Sequence, residues 1–137
     1  YVEKLLRSKT RHDPRALEDP KYGTVAGGED SLRITSSKGH ACELRWSEIE
    51  EIHAYKRDLW TTDMICLAFR KSGTEEYYEI HEEMAGYHDL LEALQRHLPK
   101  FTLEWVLDVA FPAFETKHQI IWTRSPPVPT TAPESGD

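Results

Sequence analysis

Apolar and polar residues alternate along much of the segment 31–81, which is the period of strands with one buried face. Leu32 and Ile34 alternate with polar residues before a turn at 36–39. The same alternation predicts further strands at 41–46, 49–55, 63–70 and 75–81. The segment 63–70 is apolar on both faces, so we expect it to be the most central strand of a sheet.

The period becomes helical after residue 86. Apolar residues recur every three or four positions while polar residues occupy the other face, which predicts an amphipathic helix. Its apolar stripe consists of Tyr87, Leu90, Leu91, Leu94 and Leu98. Pro99 ends this helix, and Thr102 is placed to cap a second helix that stops at Pro112. Residues 119–123 have the composition of a last strand.

Strands that precede helices favour an α+β fold, here a meandering antiparallel sheet of five or six strands packed by C-terminal helices. The order of these elements resembles a pleckstrin-homology-like roll. We place a single α+β domain at residues 31–124. Residues 1–30 are predicted to form an N-terminal arm, with either a short helix or an extended arm at 2–8, and an irregular lead-in. Residues 125–137 hold four of the eight prolines and no aromatic side chain, so we expect a disordered tail.

Three stretches resemble a group of small bacterial proteins of unknown function. They are a hydrophobic strand at 63–67, a Leu-rich helix with a Leu-Pro-x-Phe break at 90–101, and a terminal Trp-Arg within 121–124. A second helix lies between the break and the last strand. The group usually has Gly where this chain has Lys100. The shared motifs are structural, so the resemblance implies no catalytic residue.

The charge distribution narrows the classes of partner. The chain has 137 residues and a net charge of −7, and residues 1–21 carry a local +2, so the remainder is more acidic than the total indicates. An acidic body lacks the basic footprint of phosphate binding, which argues against nucleic acid and favours a protein with a basic surface.

Neither an export signal nor an apolar run of about 20 residues is present, so we expect a cytoplasmic protein. Membrane association remains open only through the N-terminal arm or through residues before Tyr1, which is not an initiator Met. The oligomeric state is also open.

Candidate catalytic and metal motifs are incomplete. The glycines of 23–28 have the spacing of a phosphate loop, but Glu29 and Asp30 follow where lysine and a hydroxyl are needed. His81 begins a pattern like the zinc-protease helix, but Ala85 occupies the position of the second histidine. His53 and His81 either face each other across strands or are two solvated strand histidines, and we favour the second interpretation. We therefore predict no catalytic residue, no metal and no cofactor.

The two cysteines, Cys42 and Cys66, lie inside predicted strands. We expect reduced thiols that pack as small hydrophobic groups, although a bridge between neighbouring strands is geometrically possible.

Two features indicate a surface that binds a partner. Trp60 lies in a polar loop between two predicted strands, where its ring either caps the sheet or anchors a partner. The second feature is an acidic run that forms either a solvated face or an electronegative binding surface, and its candidate residues are Glu75, Glu76, Glu79 and Glu83.

The sequence thus favours a non-catalytic protein-binding module with an acidic surface. A concrete version is an immunity-type inhibitor of a basic toxin, because complementary charge accelerates association and selects the partner. One alternative is a pleckstrin-homology-like regulatory domain of a membrane-associated system. Another is a small hydrolase whose site has no recognisable local motif.

Overall fold

The computed structural model of the chain describes residues 17–58, 63–110 and 118–124. The predicted helix or extended arm at 2–8, Trp60 and the predicted tail at 125–137 lie outside these residues. In the described part, the chain order is β1 (Thr24–Gly27), β2 (Ser31–Thr35), β3 (Ala41–Arg45), β4 (Ile49–Asp58), β5 (Asp63–Lys71), β6 (Tyr77–His81), α1 (Tyr87–His97), α2 (Trp105–Ala110) and β7 (Gln119–Thr123).

The strands form two antiparallel sheets. The first has the order β1-β2-β3 and the second has the order β6-β5-β4-β7. The α+β class with antiparallel strands is therefore confirmed. In place of one meandering sheet of five or six strands, the described residues contain seven strands in two sheets.

A short 3-10 turn, Trp46–Glu48, separates the sheets where the sequence pattern extended β3 through Trp46. The Glu48 carboxylate accepts a hydrogen bond from the Arg45 N–H at 3.0 Å, which ends the strand by local hydrogen bonding. Trp46 is buried, and its ring N–H donates to the Gly28 carbonyl at 3.0 Å. The chain thus passes from one sheet to the next around a buried indole.

The lead-in predicted to be irregular contains a strand, β1, so that prediction is wrong for Thr24–Gly27. Within this four-residue strand only Val25 is buried, which is too short a pattern to show a period of two. Gly27 allows close packing here, because a Cβ at that position would lie 2.8 Å from the Ala93 Cβ of α1.

The hydrophobic core lies between the two sheets and the helices. Both faces of β5 are buried from Met64 to Phe69, and β5 is an internal strand between β4 and β6, as predicted. The apolar stripe of α1 faces the core as predicted, and Leu94 at its centre has no exposed surface. Cys42 and Cys66 are not bridged to each other, and Cys66 is fully buried.

Helix α1 is capped by a residue far away in the sequence. Its N-cap, Gly86, has no side chain to accept a hydrogen bond. The Glu18 carboxylate accepts from the Gly86 N–H at 2.8 Å and from the His88 N–H at 2.9 Å. Because these N–H groups would otherwise lack partners in the helix, Glu18 fixes the lead-in to the start of α1.

Candidate functional site

The outward face of the second sheet carries a connected set of titratable and aromatic side chains. On β4, Ile52 and Ala54 are fully buried on the core side, and the alternate residues therefore point outward. Together with neighbours from the adjacent strands, these residues form what we call the outer-face cluster: Glu51, His53, Tyr55, Arg57, Arg70, Tyr77, Glu79 and His118.

One half of the outer-face cluster is a chain of polar contacts centred on His53. Its Nε2 lies 2.9 Å from Glu51 Oε1, and its Nδ1 lies 2.9 Å from His118 Nε2. Arg70 Nε donates to the same Glu51 oxygen at 3.3 Å. Hydrogen bonding with His53, reinforced by Arg70, lowers the pKa of Glu51 below its ordinary value. The carboxylate therefore accepts hydrogen bonds from both His53 and Arg70.

The other half is centred on Glu79. Arg57 Nη2 donates to Glu79 Oε2 at 2.6 Å, and the Tyr55 hydroxyl donates to the same oxygen. Burial disfavours the charged form of this carboxyl and raises the pKa of Glu79, despite the contact with Arg57. Glu79 thus holds β6 to β4 across β5 and is not an isolated negative charge.

The predicted acidic residues are divided between different environments. Glu75 and Glu76 are exposed just before β6, whereas Glu83 is half-buried beyond its other end. Glu76 accepts a hydrogen bond from the Tyr78 hydroxyl at 2.9 Å, and this contact raises the pKa of Tyr78. Glu75 and Glu76 are therefore two exposed acidic neighbours at the start of β6.

Tyr77 follows directly after these two carboxylates. Its side chain is 46% exposed, and the edge of its ring packs on His53 at a centroid distance of 5.3 Å. Since β6 is an edge strand of the four-stranded sheet, this aromatic ring is both oriented and accessible. The sequence pattern did not single out Tyr77, although its place in the acidic run was a usable signal.

The histidines differ from the sequence-based expectation. His53 pairs in register with Ala68 on β5, whereas His81 on β6 lies opposite Cys66 and packs near the ring of Tyr22. The neighbour of His53 is His118, which comes 65 positions later in the sequence. No local motif indicates this pairing, because it depends on the register of β7 against β4.

Two shallow grooves lie at the junction between the sheets. One has a volume of about 390 Å³ and is lined by Glu29, Asp30, Arg45, Trp46 and Ser47. The other, of about 410 Å³, is lined by Asp30, Ser31, Glu43, Arg45, Glu48 and Lys71. Both linings contain acidic and basic groups, and none of the described lining residues is a histidine. The grooves do not show the arrangement of a nucleophile and its base.

Across 17–58, 63–110 and 118–124, no group of three or more His, Cys, Asp or Glu side chains is placed to hold a metal ion. In that same part of the chain, no helix has the length and apolar composition that crossing a bilayer requires.

Comparison with known proteins adds no relative to this description. No protein-family model matches the chain, and neither curated proteins nor solved structures yield a match.

Proposed function

We propose that the chain is a non-catalytic protein-binding module whose partner presents a basic surface. The contact surface is the start of β6, comprising Glu75, Glu76 and Tyr77. The observation that carries the proposal is the exposed ring of Tyr77, which is held by His53 beside two exposed carboxylates on an edge strand. An oriented aromatic ring supplies an anchor with little loss of conformational entropy, and the carboxylates attract a cationic partner.

The concrete form of this function is an immunity-type inhibitor of a basic toxin in the bacterial cytoplasm. Two cysteines that are not bridged to each other, Cys42 and Cys66, agree with a reducing compartment. Glu79 and Glu83 contribute to the negative potential around the surface, and Trp60 is a second anchor in this proposal. The charge that Glu79 contributes is reduced by its contact with Arg57.

The finer fold description, a pleckstrin-homology-like roll, is also a proposal. It is supported by the order of sheets and then helices and by the presence of two antiparallel sheets. It would suit the alternative function, a regulatory domain of a membrane-associated system. The last strand, β7, follows the helices and pairs with β4, so the helix is not the final element of this arrangement.

The first experiment identifies the partner. The tagged chain is used to capture proteins from the source lysate, and mass spectrometry identifies what is retained in stoichiometric amount. The purified partner is then tested for a direct complex. We expect a basic protein that binds the purified chain without any other component. Failure of every captured protein to bind directly would contradict the proposal.

The second experiment tests the surface with matched charge reversals. Glu75→Lys combined with Glu76→Lys should slow association with the purified partner about tenfold at low salt and reduce the salt dependence of that rate. Glu29→Lys combined with Glu104→Lys changes the net charge equally at exposed positions elsewhere. This control should slow association far less. Equal effects of the two pairs would mean that net charge alone, and not the β6 surface, governs binding.

Aromatic substitutions test the anchor separately from the charges. Tyr77→Ala should accelerate dissociation about 30-fold, the effect of a hot-spot contact of about 2 kcal/mol. Tyr22→Ala removes another exposed tyrosine, 42% exposed, and should leave dissociation unchanged. Trp60→Ala is expected to accelerate dissociation as Tyr77→Ala does. If only the melting temperature changes in the Tyr77 and Trp60 variants, these rings support the fold and do not bind the partner.

A further inference from the structure

The direct contact between two imidazole rings restricts how many protons they can carry. His53 Nδ1 and His118 Nε2 are 2.9 Å apart, and the rings are nearly parallel, with 24° between their planes. A hydrogen bond at this distance needs one nitrogen that donates and one that accepts. One of the two facing nitrogens must therefore be unprotonated.

Glu51 determines whether the other ring nitrogen of His53, Nε2, carries a proton. Its carboxylate accepts from Nε2 at 2.9 Å, so Nε2 carries a proton. If His53 donates from Nδ1, it is the imidazolium and His118 is neutral. If His118 donates from Nε2, His53 is neutral and only His118 can carry the charge. In each arrangement the pair contains at most one imidazolium ion.

The surroundings oppose a second positive charge. From β5, Arg70 already shares the Glu51 oxygen, and Ala68 opposite His53 offers no charge. On β4 itself, Arg57 is paired with Glu79 of β6. The remaining neighbours are uncharged at neutral pH: Tyr77 contacts His53, Tyr55 contacts His118, and Ile120 of β7 is paired in register with His53.

The contact between His53 and His118 lies at the beginning of β7, so its loss should affect that end of the strand alone. A register shift between Ile52 and His53 divides the β4–β7 ladder into two parts. Beyond it, only two pairs hold the beginning of β7, namely His53 with Ile120 and Ala54 with Gln119. The other end of β7 is fixed independently, since Trp122 Nε1 donates to the Pro99 carbonyl at 2.8 Å.

We propose that Glu51, His53 and His118 form a proton-controlled latch that holds the beginning of β7 on β4 and opens when both histidines are protonated. Double protonation places two N–H donors 2.9 Å apart and two cations beside Arg70, so the rings must separate. The second proton is gained only as the pH falls, so the latch is expected to open on acidification. The proposal does not depend on the partner-binding function.

Amide hydrogen exchange of the full chain tests the latch residue by residue. Spectra are compared at about pH 7.5 and about pH 5.0, with each rate corrected for the intrinsic effect of pH on exchange. We expect at least a tenfold loss of protection at acidic pH for those amides of the segments 53–54 and 119–120 that are hydrogen-bonded between β4 and β7. Protection at Trp122 and Thr123 should persist. A loss spread evenly along β7, or no loss, would overturn the proposal.

Substitutions separate the latch from general acid sensitivity. His118→Gln keeps a side chain that can hydrogen-bond but does not titrate, so the acid-dependent step should disappear. His40→Gln removes an exposed histidine from the turn between β2 and β3 and should leave the step unchanged. Persistence of the step in His118→Gln would overturn the proposal. Imidazole ¹⁵N shifts at about pH 7.5 provide a second readout, because a hydrogen bond between the rings is required there.

Discussion

Lys100 has a φ of 67°, in the left-handed region that L residues other than glycine rarely adopt. The surrounding turn explains why this conformation is held. Leu98 and Phe101 are both buried on either side of it, and the Pro99 carbonyl accepts a hydrogen bond from the Trp122 ring. The Leu-Pro-x-Phe break and the terminal Trp-Arg, which are far apart in the sequence, therefore meet at this turn.

Replacement of this lysine by glycine is expected to relieve the backbone strain. Lys100→Gly should change the free energy of unfolding by about 0 to +1 kcal/mol, because relief of the left-handed penalty is partly offset by the greater entropy of glycine in the unfolded chain. Lys38→Gly, in an exposed turn without a positive φ, should instead lower stability. Chemical denaturation measures both. If Lys100→Gly lowers the free energy of unfolding as much as Lys38→Gly does, the backbone at Lys100 is not strained.

The charge of Glu18 stabilises the start of α1. Burial alone raises the pKa of its carboxyl, but the backbone N–H groups of His88 and Gly86 and the His88 ring favour the carboxylate more strongly, so the pKa of Glu18 is lowered overall. The unfolded chain therefore binds a proton at a pH where the folded protein does not. The stabilising contribution is complete above the ordinary carboxyl pKa and is lost as the pH falls through the folded pKa.

Glu18→Gln should accordingly be costly only when the carboxyl is ionised. At pH 7 we expect a loss of about 1–2 kcal/mol in the free energy of unfolding, the range of a helix cap with charged hydrogen bonds. The difference from the unaltered protein should shrink as the pH falls from about 4.5 towards about 3. Glu29→Gln, at an exposed position, serves as the control. A difference that stays constant over this range would show that the charge of Glu18 does not stabilise α1.

At the scale of elements, the sequence predicted the strands and helices whose apolar residues recur with a clear period. The turn at 36–39 is closed by a hydrogen bond from the Gly39 N–H to the Ser36 carbonyl, β5 is internal, and α1 buries its stripe. β1 was missed because one buried side chain gives no period, and the break at Trp46 was missed because hydrogen bonds determine it.

The acidic residues of the candidate site were visible in the sequence. Arg57 contacts Glu79 and Tyr78 contacts Glu76, so these carboxylates lie in different environments. These contacts depend on strand register and local side-chain geometry, which composition does not reveal.

Gly86 shows how strongly packing between elements constrains one position. Its φ is +92°, and a Cβ there would lie 2.0 Å from the Val25 carbonyl oxygen of β1. Gly73 also has a positive φ, +76°, but a Cβ there would meet no atom within 4 Å. Gly73 thus requires only a positive φ. Gly86 requires both a positive φ and the absence of a side chain where α1 approaches β1.

Matched alanine substitutions measure this difference. Gly73→Ala should cost about 1 kcal/mol, the penalty of a left-handed alanine. Gly86→Ala should cost at least about 2 kcal/mol more, because β1 and the start of α1 must move apart. Unfolding free energies from denaturation give both values. Similar costs for the two variants would mean that the junction of β1 and α1 adjusts easily.

For the molecule as a whole, Arg124 connects the end of the described chain to the junction of the two sheets. Its Nη2 donates to the Trp46 carbonyl at 2.6 Å and its Nε donates to the Ile49 carbonyl at 3.0 Å. The backbone N–H of Arg124 also donates to the Glu50 carbonyl at 2.9 Å. The terminal Trp-Arg is therefore a structural motif that fixes β7 to the segment where β3 leads into β4.

The last prediction concerns the cooperativity of the two sheets. Arg124→Lys retains the charge but loses the planar group that donates to two carbonyls at once, so the free energy of unfolding should fall by about 1.5–3 kcal/mol. Arg96→Lys, at an exposed position of α1, should change it by less than about 0.5 kcal/mol. Amide exchange should show the loss of protection in both β3 and β7, because β3 ends next to Trp46, whose carbonyl Arg124 binds, and β7 ends next to Arg124 itself. Loss confined to β7 would indicate that Arg124 fastens only its own strand, and that the junction around Trp46 is held by the buried indole.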